Sequence, residues 1–324
     1  SCSELKIHSK LNLNYLKMAL DNPHLTLQEI KSFGNNFSPN YKLPRRELGK
    51  TGEKLSIIGF GGIMLNDNPQ EFANEMVAKA YELGVNYFDV SPRYGNAEDK
   101  LGPALKPFRK NCFLACKTRE RDAVGAQKDL ENSLKKLQTE YFDLYQMHEL
   151  SSVEEVEQAF SEGGAMETII KAKKEGIIKY VGFSAHSVDA ALLAMKNYDF
   201  DSILFPINFA CWNAGSFGPQ VFAEAEKRGL GILALKAMAL THLDEGEKSI
   251  FKNVWYRPIK DETIMKMALK YTLSKNITAA IPPGQSTLFL KALEFMNDFE
   301  AISEKETQKL LALAKITKPV FIHT

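Results

Sequence analysis

The sequence predicts an α/β fold of the (β/α)8 barrel type, with an N-terminal hairpin and an extra C-terminal helix. Three observations predict it. Between Leu55 and Asp298, strand-like apolar runs alternate with helix-like segments, and strand–helix alternation implies a parallel sheet. The alternation runs through eight units with short links, the number that closes a barrel. Several strand-like runs also end in chemically competent polar residues, as barrel strands do at their C-terminal ends. An open doubly wound sheet is the alternative. It is disfavoured because Gly59-Phe60-Gly61-Gly62-Ile63-Met64 lacks the third glycine of a dinucleotide fingerprint and leads into a loop.

The elements follow in order. Residues 1–42 are polar and irregular, with two short helix-like pieces, Ser9–Met18 and Leu25–Phe33. They read as an N-terminal extension to a barrel spanning residues 43–324. Arg46–Leu55 reads as a hairpin with glycine at its turn. Leu55–Phe60 is the first barrel strand, followed by a helix over Pro69–Leu83 that Gly84 stops. Val85–Val90 precedes a helix over Ala97–Phe108, and Cys112–Lys117 a helix over Ala123–Leu137. Tyr141–His148 precedes one long helix over Val153–Glu175, stopped by Gly176. Ile178–Ser184 pairs with Val188–Asn197, and Ser202–Phe209 with Gly218–Arg228. Gly231–Lys236 leads through a long connection to Glu262–Ser274, and Ile277–Ile281 to Thr287–Asp298. Ser303–Ala314 is the extra helix. Two longer segments, Cys211–Gly218 and Ala239–Ile259, follow late strands and should overhang the C-terminal mouth.

Composition bounds the function. Apolar residues make up 44% of 324, enough for a sizeable core. A net charge of +1 gives no nucleic-acid or polyanion footprint. No apolar run approaches the ~18 residues of a membrane span. The four cysteines, Cys2, Cys112, Cys116 and Cys211, offer no metal-binding spacing. Cys112 and Cys116 share one strand, roughly 13 Å apart at ~3.3 Å per residue, so reduced structural thiols are expected. The expected partner is a small molecule.

Four polar residues carry the chemistry. Asp89 closes its strand, Tyr94 follows in Ser91-Pro92-Arg93-Tyr94-Gly95, and Lys117 and His148 close the next two strands. Taken singly, each has a bland reading: an Asp after a strand is a cap, a Tyr packs, a strand-end Lys is solvated, a His is satisfied in the core. On successive parallel strands they gather at one end of the barrel. An acid, a phenol, an amine and an imidazole together suit proton transfer at a carbonyl.

These motifs make the sequence resemble the aldo-keto reductase family over about Leu43–Phe299. The carriers are Gly59-Phe60-Gly61-Gly62, the run Tyr87 to Glu98, Lys117-Thr118, Asp143 to His148, Gly176 to Ser184, and Ile281-Pro282. Leu235-Lys236-Ala237-Met238 looks like a bacterial branch with Lys where many members carry an aromatic residue. The resemblance implies NAD(P)H-linked carbonyl reduction, with Asp89, Tyr94, Lys117 and His148 as the catalytic four and Tyr94 as proton donor. It implies cofactor contacts from Gly62, Ile63, Ser184, Asn208, Lys236, Ala237, Met238, Gly284, Gln285 and Ser286. Arg93, His186, Trp212 and Trp255 are the substrate candidates, for a carbonyl or sugar-like compound.

The sequence also departs from that family. Ser184 is followed by Ala185 and His186 rather than Asn, and Pro206 stands where Gln is common. After the eighth strand no Arg or Lys occurs before Lys291. The resemblance implies NADP(H) as the cofactor, and these departures keep NAD(H) open as the alternative. Two other readings stay open: a cofactor-retaining enzyme that oxidises and re-reduces one sugar, and a nicotinamide-sensing subunit without useful turnover. The expected location is cytoplasmic. Because the chain starts at Ser1 with Cys2 beside it, a cell-envelope origin after removal of an export signal is the alternative.

Overall fold

The computed structural model describes residues 24–324; the expected helix Ser9–Met18 and Cys2 lie outside them. The described chain opens with helix Leu27–Ser32, held by a capping box between Thr26 and Glu29. A hairpin follows, β1 (Arg45–Glu47) against β2 (Lys54–Ser56). The barrel strands are then β3 (Phe60–Gly61), β4 (Tyr87–Asp89), β5 (Phe113–Thr118), β6 (Phe142–Leu150), β7 (Ile178–Ala185), β8 (Ser202–Pro206) and β9 (Gly231–Leu235). A second hairpin, β10 (Ala239–His242) with β11 (Tyr256–Pro258), interrupts before the last strand, β12 (Ala279–Ala280).

The parallel sheet has eight strands in sequence order from β3 to β9, with β12 next to β9. Its ends meet. Ile58 and Ala280 form a parallel bridge, the Gly59 amide donates to Ala280 O at 3.0 Å, and the Ala280 amide donates to Ile57 O at 2.9 Å. The sheet is therefore closed, which excludes the open doubly wound alternative. Polar residues just ahead of the barrel helices fix their starts: Asp122, Ser152, Ser187 and Asp261 each accept from an amide in the first turn that follows.

One expected helix is two. Val153–Phe160 and Ala165–Lys174 are separated where Ser161-Glu162-Gly163-Gly164 breaks the ladder, with Gly163 at φ +73°. The amphipathic period continues across the break, so the run alone reads as one helix. The long connection Ala239–Ile259 contains the β10–β11 hairpin, which period-two reading did not resolve.

Two apolar cores flank the sheet. Strand faces turned outward, with Phe88, Leu114, Cys116, Tyr145 and Met147, join the helices in the larger one. Ile30 of the N-terminal helix is fully buried in that core, so this segment is docked on the barrel. The smaller core fills the barrel floor with Tyr87, Phe113, Ala115, Leu144, Leu204 and Leu233, plugged by Leu48 and Leu55 of the first hairpin. The plug needs a close approach. Gly49 turns at φ +51°, and a Cβ there would lie 2.7 Å from Gly229 O and against the Gly231 backbone.

Gly49→Ala combines an unfavourable φ with a backbone clash that no rotamer relieves. It should cost about 2 kcal/mol or more of unfolding free energy, read as a lower denaturant midpoint at an unchanged slope. An unchanged midpoint would mean that the hairpin does not anchor the barrel floor.

Candidate active site

Strand alternation decides what the barrel interior holds. Tyr87 and Asp89 share the inward face of β4, Phe113, Ala115 and Lys117 that of β5, and Leu144, Gln146 and His148 that of β6. The lower positions are apolar and pack on the plug. The upper positions are polar and face one another at the C-terminal mouth. Asp89 is 2%, Lys117 1% and His148 9% exposed.

Lys117 Nζ pairs with Asp89 Oδ1 and donates to Tyr94 OH at 3.0 Å. Gln146 Nε2 donates to Asp89 Oδ2 at 3.1 Å, so both carboxylate oxygens are engaged. The Tyr94 and His148 rings meet edge to face, with centroids 5.8 Å apart. His148 Nδ1 lies 3.0 Å from Ser91 Oγ, and its carbonyl accepts from Arg121 Nη2 at 2.7 Å. The structure thus brings the four expected residues together.

Each group's charge state has a physical cause. Burial would depress the Lys117 ammonium, but Asp89 and Tyr94 more than offset it, and Lys117 is held above the usual lysine value. Burial raises the Tyr94 phenol, and the Lys117 charge counters only part of that. Desolvation wins over the pull of Lys117, so Tyr94 remains a phenol. Burial, then the charges of Lys117, Arg119, His186 and Arg121, hold His148 well below its ordinary value, as a neutral imidazole.

The expected cofactor residues divide into groups. Ser184 and Asn208 are buried and their side chains fasten backbone. Ser184 Oγ accepts from the Glu149 amide at 2.7 Å. Asn208 caps helix Phe209–Asn213 and donates to Lys236 O at 2.9 Å and Ala239 O at 2.8 Å. Ala237 and Met238 are buried behind β9. Gly62 and Ile63 open a short 3-10 turn after β3, and Gly284 packs directly on Ile63. Gln285 and Ser286 start helix Ser286–Phe295.

Lys236 stands at the mouth in the left-handed region, φ +65°, with its Nζ 5.3 Å from the Trp255 ring centroid and 5.1 Å from that of Tyr256. Burial lowers its amine to about 8, aided by Lys117 and opposed by Glu149. Of the substrate candidates, His186 lies 3.4 Å from Glu149 and against Phe321, and Trp255 also faces Phe321. Arg93 pairs with Glu120 at 2.8 Å on the rim. Trp212 lies elsewhere, against Phe222 and under Lys275, in the helical layer.

Sequence reading missed Ser91, Gln146, Glu149 and Phe321. Gln146 and Ser91 were findable, because each lies two residues from a chosen inward residue. Glu149 was not, since its φ of +56° is a backbone property. Phe321 reaches His186, Phe217 and Trp255 by tertiary return of the C-terminal segment.

The residues present fit a phosphate-bearing cofactor beside this mouth. A cavity of about 580 Å³ is lined by Asn66, Lys252, Asn253, Gln285 and Ser286 among others. Helix Ser286–Phe295 begins there without a side-chain cap, and Thr287 Oγ1 in its first turn is buried without a partner. Among the described residues no cluster could hold a metal, Cys112, Cys116 and Cys211 are free thiols, and no helix is long and apolar enough to cross a membrane.

The chain is similar to known proteins in sequence and in fold. The sequence model described as aldo/keto reductase family matches residues 57–314. An L-galactose dehydrogenase of Arabidopsis thaliana is 25% identical over 275 residues, covering 76% of this chain and 85% of the relative. An aldo-keto reductase of Bacillus subtilis is 29% identical over 161 residues, 44% of this chain and 47% of the relative. An aldo-keto reductase of Bacillus halodurans, solved in its holo form, superposes with a TM-score of 0.67 at 21% identity, covering 86% of this chain and 98% of the other.

Lys236 gives a signed pH expectation. Its folded-state amine titrates near about 8, against about 10.4 when unfolded. Between those values the unfolded chain binds more protons, so this group's contribution to stability rises with pH. Wild type should therefore gain melting temperature relative to Lys236→Met as pH climbs through that window. A constant difference across it would mean that the ammonium is not depressed.

Proposed function

The chain belongs to the aldo/keto reductase family, and from that premise we propose that it is an NAD(P)H-dependent alcohol dehydrogenase or carbonyl reductase with Tyr94 as proton donor. The observation that carries this reading is the hydrogen bond from Lys117 Nζ to Tyr94 OH at 3.0 Å, over an ammonium already committed to Asp89. The nicotinamide, when bound, supplies or accepts the hydride.

The protein's own residues handle the proton. Tyr94 stays protonated because burial outweighs the pull of Lys117, so a proton is in place at neutral pH. When that proton leaves, the phenolate faces an ammonium that Asp89 keeps charged and fixed. Neutral His148 can orient a carbonyl oxygen only if Nε2 carries the hydrogen. That requires Nδ1 to accept from the Ser91 hydroxyl, which stands 3.0 Å away.

The substrate reading is a hydroxylated, sugar-like carbonyl or alcohol compound. Its supports are the polar pairs His186 with Glu149 and Arg93 with Glu120, the exposed Trp255, and the name of the L-galactose dehydrogenase relative. The cofactor reading is NADP(H), with NAD(H) accepted. The uncapped start of helix Ser286–Phe295 supports a phosphate there, whereas the absence of Arg or Lys from Pro282 to Leu290 supports only modest discrimination.

Tyr94→Phe should lower kcat by at least ~10²-fold, the usual scale of general acid catalysis, with little change in nucleotide affinity. A variant that keeps most of its turnover on an accepted aldehyde would remove Tyr94 from the role.

Ser91→Ala leaves the buried His148 Nδ1 without its partner and frees the tautomer. We expect kcat to fall about tenfold, or ~1.4 kcal/mol, with an altered pH profile and unchanged nucleotide binding. A pH–rate profile identical to wild type would show that Ser91 only packs.

A further inference from the structure

Lys236 breaks the rule that orders the rest of the barrel. Along β9, Leu233 and Leu235 face the interior and Ala234 the helical layer, so alternation would send residue 236 outward. Instead its backbone sits at φ +65°, and its ammonium feels the Lys117 and Glu149 charges at the mouth. The turn is held from both sides, because Asn208 Nδ2 donates to Lys236 O at 2.9 Å and Ala239 O at 2.8 Å. A left-handed residue other than glycine persists only where its surroundings over-determine it, and such positions cluster at ligand sites.

That side chain lacks an acceptor. Other charged groups of the mouth are matched: Lys117 with Asp89, Arg93 with Glu120, and Glu149 with Arg119 at 3.6 Å and His186 at 3.4 Å. Lys236 Nζ has two ring faces, Trp255 at 5.3 Å and Tyr256 at 5.1 Å, and among the described residues it makes no hydrogen bond or ion pair. An ammonium has three hydrogens to give, and drawing it out of water without an acceptor is unfavourable. The lowering of its amine to about 8 expresses that penalty in the free enzyme. The local charge runs the same way. With the Lys117–Asp89 and Arg93–Glu120 pairs set aside, Arg119 and Lys236 stand against the one carboxylate of Glu149, which leaves one negative charge to be supplied.

We propose that Lys236 seats a carboxylate of the substrate, so that the preferred carbonyl compounds are sugar-sized aldehyde acids or keto acids whose carbon chain lies along the Trp255 ring. This rests on the carbonyl reductase reading and adds to it the charge of the substrate. A single negative charge suits one ammonium, and the Glu149 carboxylate nearby disfavours a dianion. Trp255 is half exposed and offers its face to the chain, while buried Tyr256 shields the ammonium from water. An ion pair sheltered in this way is stronger than one on an open surface.

The test uses the full chain and matched substrate pairs that differ in one charge: D-glucuronate against D-glucuronamide, and 4-oxobutanoate against its methyl ester. The pairs differ in length, so two spans between Tyr94 and Lys236 are sampled. kcat/KM is measured at saturating reduced nucleotide for wild type, Lys236→Met, Lys236→Arg and the exposed control Lys248→Ala. Wild type should favour the acid of at least one pair by about tenfold, the scale of one hydrogen bond to a charged group. Lys236→Met should bring that ratio near unity by raising KM for the acid, Lys236→Arg should keep part of it, and the control should match wild type. A wild-type ratio of one or below in both pairs overturns the proposal and leaves the reductase reading standing. So does an acid preference that survives in Lys236→Met, or a loss in that variant equal for acid and neutral partner, which would assign Lys236 to the cofactor or the fold. Wild type that reduces none of the four compounds overturns both readings.

Discussion

The buried ion pair between Lys117 and Asp89 is the constraint on which the site depends. Two charges at 1% and 2% exposure carry a desolvation penalty of several kcal/mol each unless geometry and further hydrogen bonds offset it. Here they do. Asp89 takes the ammonium on one oxygen and the Gln146 amide on the other, and Lys117 gives a second hydrogen to Tyr94. Removing Asp89 or Lys117 alone leaves a buried charge without its partner. The charge pattern then propagates outward. Burial is the first cause of the neutral His148 and of the lowered Lys236, and the Lys117 ammonium adds to both.

The pair can exist only because the barrel interior is layered. Period-two alternation puts Phe113 and Ala115 below Lys117, and Leu144 below Gln146 and His148, on strands whose register sets Lys117 beside Gln146. The apolar floor is sealed by Leu48 and Leu55, which keeps water from reaching the charges from beneath. A one-residue slip of β5 would send Lys117 into the helical core and Cys116 into the mouth. The closure at Ile58 and Ala280 removes the free edges that would permit such a slip.

This layering explains what was legible in the sequence. Asp89, Lys117 and His148 each end a strand-like run, so strand position alone brings them together. Gln146 was equally determined and was passed over because an amide carries no obvious chemistry by itself. The break at Ser161–Gly164 sits inside a continuous amphipathic period, which hides it. Trp212 follows a strand end, yet a five-residue helix capped by Asn208 turns its ring outward onto Lys275. Glu149 and Lys236 owe their places to left-handed backbone at the ends of β6 and β9, a feature of closure rather than of side-chain pattern.

Ser184 and Asn208 share one physical duty at the mouth. Both were expected to contact the cofactor, and both hold backbone at the mouth. Ser184 holds the Glu149 amide, and Asn208 holds the carbonyls on either side of the Lys236 turn. Two strained non-glycine residues at the mouth need such fasteners, because a left-handed residue persists only where its surroundings over-determine it. Asn208 uses its amide hydrogens on the two carbonyls, whereas Ser184 serves as an acceptor and keeps its hydroxyl hydrogen for a ligand.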